Sequence, residues 1–283
     1  MAVVGRGFGA AVHAPGWALA GAHVIGTAGR GDWRELVAAA EVVSVATPPA
    51  SHAEVVLEAA RLGARILCEK PLAATLADAE RMAAAARNVA TAVNFSYRAV
   101  PAFARFKELL EATELDVVWT TGSRLGQRLP GWKDDPTQGG ALAAYGVHAL
   151  DYARWLLGEA EVVEATVEPN GDTFSARLDH AGGGRTTLTV SLVSAERVHR
   201  LRAGELVLEN VHPSDPVGAF ALRHGGNDVA VPKPALTAPD GSDPRVAPFA
   251  AHARALLEDG ERPTFTDGLQ AQRLLEGVRR AAS

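Results

Sequence analysis

The sequence predicts an α/β protein made of two parts, a doubly wound parallel sheet followed by a mostly antiparallel sheet. Up to about residue 95, short apolar runs alternate with stretches of helical length, which is typical of βαβ units. Beyond that point, strand-like runs follow one another with turn sequences such as PNGD and AGGG between them, which indicates hairpins. We therefore predict one domain over residues 1–95 and a second over 96–283.

The first domain contains five predicted strands and four predicted helices. The strands lie at residues 2–5, 23–28, 41–48, 64–71 and 90–95. The helices lie at residues 9–19, 32–40, 51–62 and 75–87, and the last two are clearly amphipathic. The connection over 29–41 is short and has room for a small helix only.

The second domain begins with a predicted helix at 101–112 and a strand at 116–125, followed by a turn-rich loop around 131–140. A helix is predicted over 141–157, closed by Gly158. Further strands are predicted at 161–168, 172–179, 185–194, 197–202 and 205–209. Residues 212–245 are rich in Pro, Gly and Asp and predict a long, partly irregular loop, and helices at 246–258 and 267–282 follow.

The composition argues against several functional classes. The chain of 283 residues has a formal net charge of -5 and no basic block, which gives no support for a nucleic-acid or anionic-membrane partner. No apolar run approaches the length of a membrane span. The single cysteine, Cys68, rules out an intrachain disulfide and fits a reducing compartment, so we expect a cytoplasmic protein. No Cys/His cluster has metal-ligand spacing, and no metal site is predicted.

A glycine-rich turn follows the first predicted strand. The stretch VVGRGFGAAVHAPG sets Gly5, Gly7 and Ala10 in the G-x-G-x-x-[GA] spacing of a dinucleotide-binding Rossmann domain. There the first glycine permits the tight turn, the second lets the backbone approach the pyrophosphate, and the small third residue allows close helix–strand packing. The helix N-terminus then faces the phosphates. We predict cofactor contacts from Gly5, Gly7, Phe8, Gly9 and Ala10.

The end of the second strand bears on the choice between NAD and NADP. An acidic residue there binds the ribose 2′-hydroxyl, whereas a small residue followed by arginine leaves room for a 2′-phosphate. The stretch GTAGRGD has Gly29 and Arg30 at this place, with Asp32 further along. Arg30 could equally be a solvated turn residue and Asp32 a helix N-cap. This pattern favours NADP(H) over NAD(H).

The third strand ends in the stretch VATPPASH, where a dinucleotide would cross the sheet. Ser51 can cap the next helix. Thr47, Pro48 and His52 are candidate cofactor contacts, although a histidine that opens a helix is more often structural.

Six motifs occur in order along the chain: strand–GxGxxA–helix, ATPPASH, EKP, NFSYRAVP, GGALAAYGVHALDYARWLLG and FTDGLQAQRLLEGV. Together they resemble the glucose–fructose oxidoreductase / inositol dehydrogenase (Gfo/Idh/MocA) family over essentially the whole chain. The resemblance implies an N-terminal Rossmann domain and a C-terminal α/β domain with a large open, predominantly antiparallel sheet. It also implies an NAD(P)-dependent oxidoreductase that interconverts a secondary alcohol and a ketone on a sugar, cyclitol or related small molecule, and a homo-oligomer formed through that sheet.

By the same resemblance, the lysine of the E-K-P motif, Lys70, lies between nicotinamide and substrate. An ammonium at that place stabilises negative charge that develops on the reacting oxygen, whereas the alternative is a solvated loop lysine. Glu69 is expected to contact the cofactor ribose or to orient Lys70, and the resemblance allows a cis Lys70–Pro71 bond. Asn94 and Arg98 are expected to border the nicotinamide and the substrate, although Arg98 could equally bridge the two domains.

The helix at 141–157 carries the other half of the predicted site. Residues at i, i+3, i+4 and i+7 share one helix face, and these are His148, Asp151, Tyr152 and Trp155. Asp151 can accept a hydrogen bond from the imidazole and fix its tautomer, although a core histidine satisfied by an aspartate is the alternative. The resemblance places the family's active-site histidine at His148. We predict Lys70 and His148 as catalytic residues.

The sequence departs from the family pattern at Ala144, where relatives commonly have an aspartate one helical turn before the histidine. Either Lys70 and His148 suffice for a substrate that is less polar or deoxygenated there, or the proton relay is altered. A third reading is that the chain has left redox chemistry. It would then be a cofactor-retaining enzyme of hydrolysis or elimination, or a non-catalytic ligand-binding protein. Tyr97, Tyr145 and Tyr152 are possible substitutes for the aspartate. We predict Arg98, Trp132, Tyr145, His148 and Asp151 as substrate-binding residues.

Overall fold

The computed structural model of the chain describes residues 1–29, 31–129, 131–135, 139–212 and 214–283. They form two compact units. The first contains residues 1–100 and 234–272, and the second contains 101–233 and 273–283. The predicted division at residue 95 is therefore wrong for the last part of the chain, which returns to the first unit. An amphipathic helix in the sequence does not say which sheet its apolar face covers.

The first unit is built on a five-stranded parallel sheet of order β2-β1-β3-β4-β5. Its strands are β1 (Ala2–Val4), β2 (Gly26–Ala28), β3 (Val42–Val45), β4 (Arg65–Cys68) and β5 (Thr91–Val93). All neighbours are parallel, as predicted, and β1 pairs with both β2 and β3. The strand order thus reverses beside β1, and ligands of such sheets bind outside the carboxyl ends of the strands at this point.

The helices of the first unit agree with the predicted segments. They are α1 (Ala14–Leu19), α2 (Arg34–Ala38), α3 (His52–Arg61) and α4 (Leu76–Ala85). A π-helical turn, Gly9–His13, precedes α1, and a 3₁₀ turn, Pro49–Ser51, precedes α3. The short α2 is the expected result of the short second connection.

The second unit is built on an eight-stranded sheet of order β13-β12-β11-β10-β6-β9-β8-β7. Its strands are β6 (Glu114–Thr120), β7 (Ala160–Val167), β8 (Thr173–His180), β9 (Arg185–Ser191), β10 (Val198–Ala203), β11 (Leu206–Asn210), β12 (Phe220–His224) and β13 (Asn227–Asp228). Only the β6–β9 pair is parallel, so the predicted mostly antiparallel sheet is confirmed. Self-association through this sheet stays a prediction.

Two strands of that sheet, β12 and β13, lie in the segment that we predicted as a long loop. β12 is only five residues long, and its burial alternates along the strand. Its inward side chains, Phe220 and Leu222, are buried. So short a run between Gly- and Pro-rich stretches has only a weak strand pattern in the sequence. In the structure, β12 is stabilised by pairing with β11.

Helix α5 (Pro101–Leu109) and helix α6 (Val147–Leu157) belong to the second unit, and a π-helical turn, Leu142–Gly146, leads into α6. Two helices complete the chain, α7 (Val246–Leu257) and α8 (Phe265–Ala281). Within the described ranges, none of the helices combines the length and the apolar character needed to cross a membrane.

Helix α7 packs on α1 in the first unit through aromatic side chains. The Phe249 ring lies 4.1 Å from the His13 ring and 6.0 Å from the Trp17 ring, measured between centroids. The close approach is possible because residue 16 is glycine, since an added Cβ there would lie 2.3 Å from Phe249 Cδ1. All four of these residues are buried. The α1–α7 contact therefore anchors the returning segment to the parallel sheet.

Gly16→Ala should lower the free energy of unfolding by about 1–3 kcal/mol, because the new methyl group must displace the Phe249 ring in a packed core. Urea unfolding followed by tryptophan fluorescence measures the change. Gly182→Ala is the control, since a Cβ at that exposed glycine meets nothing within 4 Å. Equal stability of the two variants would show that the α1–α7 contact is not tight.

Candidate active site

The glycine-rich turn leaves β1 at the point where the strand order reverses. Gly5 has φ +134°, and an added Cβ would lie 2.4 Å from the carbonyl oxygen of Ala46. A Cβ at Gly9 would lie 2.9 Å from Val3 Cγ1, whereas a Cβ at Gly7 would meet nothing within 4 Å. The backbone at Gly7 is thus open to a ligand, and this fits a dinucleotide pyrophosphate. The close helix–strand packing expected of Ala10 belongs instead to Gly9, because Ala10 is exposed.

Phe8 lies on the same turn with its ring packed inside the first unit. The ring meets His13 edge to face, with centroids 5.5 Å apart, and the Arg245 guanidinium lies 4.8 Å from its centre. The side chain therefore stabilises the turn, and a ligand at this position would meet the backbone.

The turn after β2 is held by Asp32. Its Oδ1 accepts a hydrogen bond from the Gly29 backbone N–H at 2.7 Å, and its carboxylate pairs with Arg6. Both side chains of this ion pair are more than half exposed. Asp32 thus orders the turn without capping α2, whose N-cap residue is Trp33. The predicted phosphate ligand Arg30 lies outside the described residues.

The loop after β3 carries an unsatisfied hydroxyl. Thr47 is buried, and its Oγ1 has no hydrogen-bond partner among the residues that the structure describes. A buried polar group without a partner is costly, so a bound ligand that supplies one fits this position. Pro48 is half-buried beside it.

His52 connects this loop to the loop after β4. Its Nε2 lies 2.7 Å from the Thr47 carbonyl oxygen and its Nδ1 lies 3.0 Å from the Leu72 carbonyl oxygen. Burial lowers the pKa of His52, although both carbonyls oppose that shift. The ring is completely buried. His52 therefore connects the two loops within the first unit, and its ring is too deeply buried to contact a ligand.

Glu69 and Lys70 follow β4 at the same edge of the sheet, and the Lys70–Pro71 bond is cis. The Glu69 side chain is 13% exposed, and its Oε1 lies 3.0 Å from His13 Nε2. The same oxygen accepts a hydrogen bond from Asn94 Nδ2, and Oε2 accepts one from the Lys70 backbone N–H at 3.3 Å. Burial opposes ionisation of this carboxyl, but the hydrogen bonds from His13 and Asn94 and the charge of Lys70 keep the pKa of Glu69 below its usual value. Glu69 is therefore a carboxylate next to Lys70.

Arg98 pairs with Asp267 at 3.1 Å, and the Arg98 side chain is only 9% exposed. Asp267 also accepts hydrogen bonds from the backbone N–H and the hydroxyl of Thr264, at 2.8 and 3.1 Å. Both partners of the ion pair belong to the first unit. The pair thus joins the segment after β5 to the beginning of α8.

His148 and Asp151 lie on α6 in the second unit, and both are buried. The Trp119 ring on β6 lies 6.3 Å from the His148 ring and meets the Tyr145 ring edge to face at 5.2 Å. The Trp119 ring also stacks on the His199 ring, with centroids 4.1 Å apart. The predicted residues Tyr145 and His148 thus share one aromatic cluster with Trp119.

His199 is a member of this cluster that the sequence did not reveal. Its Nε2 lies 3.2 Å from the Tyr152 hydroxyl, and burial lowers the pKa of His199 to about 3. The ring is therefore neutral near pH 7. The available signal was the alternation along β10, where His199 and Leu201 share the buried face and Arg200 between them is exposed.

Ala144 lies in the π-helical turn before α6 and is 4% exposed. The backbone N–H of Val147 bonds the carbonyl of Leu142, a spacing of five residues. The predicted helix over 141–157 is therefore continuous but not α-helical throughout, and position 144 does not have α-helical spacing to His148. Such π-turns occur often at functional sites.

A cavity of about 330 Å³ opens beside this cluster, entirely within the second unit. Its polar lining includes Thr121, Ser123, Tyr145, Arg197 and Asn210. Hydroxyl, amide and guanidinium groups over an aromatic wall can bind a ligand that carries several hydroxyl groups.

The loop that contains Trp132 is fixed by a network of ion pairs. Arg124 contacts Asp134 at 3.0 Å and Asp172 at 2.7 Å, and Arg128 contacts Asp134 at 2.6 Å. The hydrogen bond from Arg128 is the main reason that the pKa of Asp134 is lowered. Trp132 is half-buried in the 3₁₀ turn Gly131–Asp134 that this network supports.

The chain matches two family descriptions. Residues 1–97 match "Oxidoreductase family, NAD-binding Rossmann fold" and residues 103–204 match "GFO/IDH/MocA C-terminal domain". Levoglucosan dehydrogenase of Pseudarthrobacter phenanthrenivorans is 34% identical over 152 residues, which is 48% of this chain and 38% of that protein. D-xylose 1-dehydrogenase (NADP(+)) 2 of Haloferax volcanii is 28% identical over 79% of this chain and 71% of that protein.

The fold is also that of a solved levoglucosan dehydrogenase in complex with NADH and L-sorbose, with a TM-score of 0.81 and 21% identity over 99% of this chain and 95% of that one. The sequence matches to three of the curated relatives span only 37–53% of their lengths. Both family domains are nevertheless present in order, on the predicted pair of sheets. The chain belongs to the Gfo/Idh/MocA family of NAD-binding oxidoreductases.

Proposed function

We propose that the protein is an NAD(P)-dependent dehydrogenase or reductase that interconverts a secondary alcohol and a ketone on a sugar, cyclitol or related metabolite. The observation that carries the proposal is Lys70, next to the Glu69 carboxylate, at the edge of the parallel sheet to which the open turn at Gly7 also belongs. A cation at this edge can act on the oxygen of a substrate that lies against the cofactor.

The cofactor, when bound, supplies or accepts the hydride. Gly7 presents open backbone to its pyrophosphate, and Thr47 offers the buried hydroxyl. Lys70 stabilises the negative charge that develops on the reacting oxygen, and His148 transfers the proton. Glu69 keeps a negative charge beside Lys70, which favours the charged amine.

The substrate is proposed to be a small polyhydroxylated molecule. The cavity beside Tyr145 has the volume of a small-ligand site and a lining rich in hydrogen-bonding groups. Two relatives have names that refer to levoglucosan and D-xylose. A first panel should therefore include anhydrosugars, aldoses and cyclitols, each tested with both cofactors for a change in nicotinamide absorbance.

A second candidate function is supported by Ala144. A buried methyl group at this position cannot replace the family's aspartate in orienting a histidine. An enzyme that retains its cofactor for hydrolysis or elimination, or a ligand-binding protein without catalysis, is compatible with this loss. Cofactor that remains bound through purification would favour the first of these, and failure to bind cofactor would favour the second.

Lys70→Met should lower turnover about 10²-fold or more while cofactor affinity largely survives, because the change removes the charge and keeps most of the volume. Turnover and cofactor fluorescence titration measure the two effects separately. Lys233→Met is the matched control, because Lys233 is exposed. Full activity of Lys70→Met would show that Lys70 is a solvated loop residue without a catalytic role and would contradict the proposal.

The protein should bind NADPH more tightly than NADH if Gly29 and Arg30 surround the adenosine ribose. Arg30→Ala should reduce that difference by roughly 1–3 kcal/mol, the scale of a charge-assisted hydrogen bond. Fluorescence titration of both cofactors measures it. Equal affinities in the unaltered protein would contradict the NADP preference. They would leave Asp32 only its structural role of ordering the turn.

Ala144→Asp should lower kcat/KM for the native substrate if the pocket at this position is apolar, because an unpaired buried carboxylate is costly. Polyhydroxylated sugars should lose less or gain, since their hydroxyl groups can bind the new carboxylate. His148→Ala should reduce turnover of both substrate classes. Faster turnover of the native substrate by Ala144→Asp would instead identify the alanine as a decayed catalytic position.

A further inference from the structure

A buried histidine that the proposed reaction does not use lies behind Glu69. His13 is completely buried, with Nδ1 2.8 Å from Ser44 Oγ and Nε2 3.0 Å from Glu69 Oε1. Its ring is covered by Phe249 and Phe8. Water therefore does not compete for either hydrogen bond, and the imidazole holds one oxygen of the carboxylate.

The carboxylate of Glu69 is held from three directions. Besides His13, Asn94 Nδ2 donates to Oε1, and the Lys70 backbone N–H donates to Oε2 at 3.3 Å. Asn94 is itself oriented by a hydrogen bond of 3.3 Å from Ser96 Oγ to its Oδ1. Three donors define both the position and the plane of a carboxylate, whereas two would leave it more freedom to rotate.

The hydrogen-bond roles of His13 follow from its partners. A carboxylate only accepts, so Nε2 carries a proton and donates to Glu69. Nδ1 then either accepts from the Ser44 hydroxyl or, when protonated, donates to it, because a hydroxyl can play both roles. His13 thus keeps both hydrogen bonds in either protonation state, and Glu69 stays in place when the local charge changes.

Other titratable groups, on α3, α7 and β4, interact electrostatically with the same carboxylate. Burial lowers the pKa of His52 and lowers that of His252 to about 4, and burial raises the pKa of Cys68 well above its usual value. All three are consequently neutral near pH 7. Besides the hydrogen bonds from His13 and Asn94, the positive charge of Lys70 helps to keep the pKa of Glu69 below its usual value.

We propose that His13 is a positioning residue for Lys70. By donating to Glu69 Oε1, it holds the carboxylate in the orientation from which it stabilises the charged form of the Lys70 amine. Without this hydrogen bond the carboxylate can turn away and is itself more easily protonated, and both effects favour the neutral amine. A neutral amine stabilises the developing oxyanion less well. The catalytic consequence rests on the proposed function, but the effect on the amine does not.

The test measures the ionisation of Lys70 without cofactor or substrate. The chain has four lysines, Lys70, Lys107, Lys133 and Lys233, so a protein labelled with ¹³C at lysine Cε gives few NMR signals. The signal that Lys70→Met removes belongs to Lys70. In His13→Leu, which removes the donor, the pKa of the Lys70 amine should fall by about half a unit or more, and in Glu69→Gln by about one unit or more.

A double variant separates positioning from general damage. If His13 acts through Glu69, then His13→Leu combined with Glu69→Gln should lower the Lys70 pKa no further than Glu69→Gln alone. A shift that adds in full would overturn the proposal, and so would a wild-type Lys70 titration in His13→Leu. Lys107, Lys133 and Lys233 should titrate unchanged in every variant.

His180→Leu is the control for loss of a buried histidine. Its Nδ1 lies 2.8 Å from the Gly158 carbonyl oxygen and its Nε2 lies 2.8 Å from Thr186 Oγ1, in the second unit. It should reduce stability and leave the Lys70 titration unchanged.

If His13→Leu fails to fold, Ser44→Ala takes its place. This change keeps the imidazole but removes its second partner, and it should lower the Lys70 pKa by a smaller amount. No shift in this variant would overturn the proposal. Full turnover of Lys70→Met would refute the proposed function alone, because the titration does not depend on it.

Discussion

The arrangement of the first unit depends on one buried carboxylate. Glu69 leaves β4 at the carboxyl edge of the parallel sheet and is surrounded by groups that donate to it. A charge in this place is tolerated because two of its donors are held by other elements: His13 by the turn that leads into the first helix, and Asn94 by the end of β5. The hydrogen bonds to Glu69 thus link these elements to the end of β4, and the contact of His13 with Ser44 extends the network to β3.

The segment that returns to the first unit after the large sheet covers one side of this network. Helix α7 packs over His13, the last residue of the π-helical turn before α1, and Phe249 shields the imidazole from solvent. Gly16 allows the two helices to approach closely enough for that contact. The returning segment also supplies Asp267, which neutralises the largely buried Arg98. Residues far apart in sequence therefore maintain the polar core behind Lys70.

The candidate site in the second unit is lined by aromatic side chains instead of a charged network. Trp119 on β6 packs against Tyr145, His148 and His199, and burial keeps His199 neutral. Ala144 lies in the π-turn that leads into α6, the helix that carries His148. These neutral, largely aromatic side chains offer few partners to polar groups of a substrate. Such groups would instead bind the hydroxyl and amide groups that line the neighbouring cavity.

The sequence by itself determined the five parallel strands, the mostly antiparallel second sheet and the glycine-rich turn. Each of these depends on local patterns of apolar residues and turn residues that a short window contains. Only the tertiary structure decided that residues 234–272 join the first unit, that β12 completes the large sheet, that Gly9 and not Ala10 packs on β1, and that His13 and His199 lie in the polar core and the aromatic wall. These features depend on contacts between residues distant in sequence. An amphipathic helix, a short strand or a lone histidine has the same local pattern whichever partner it meets.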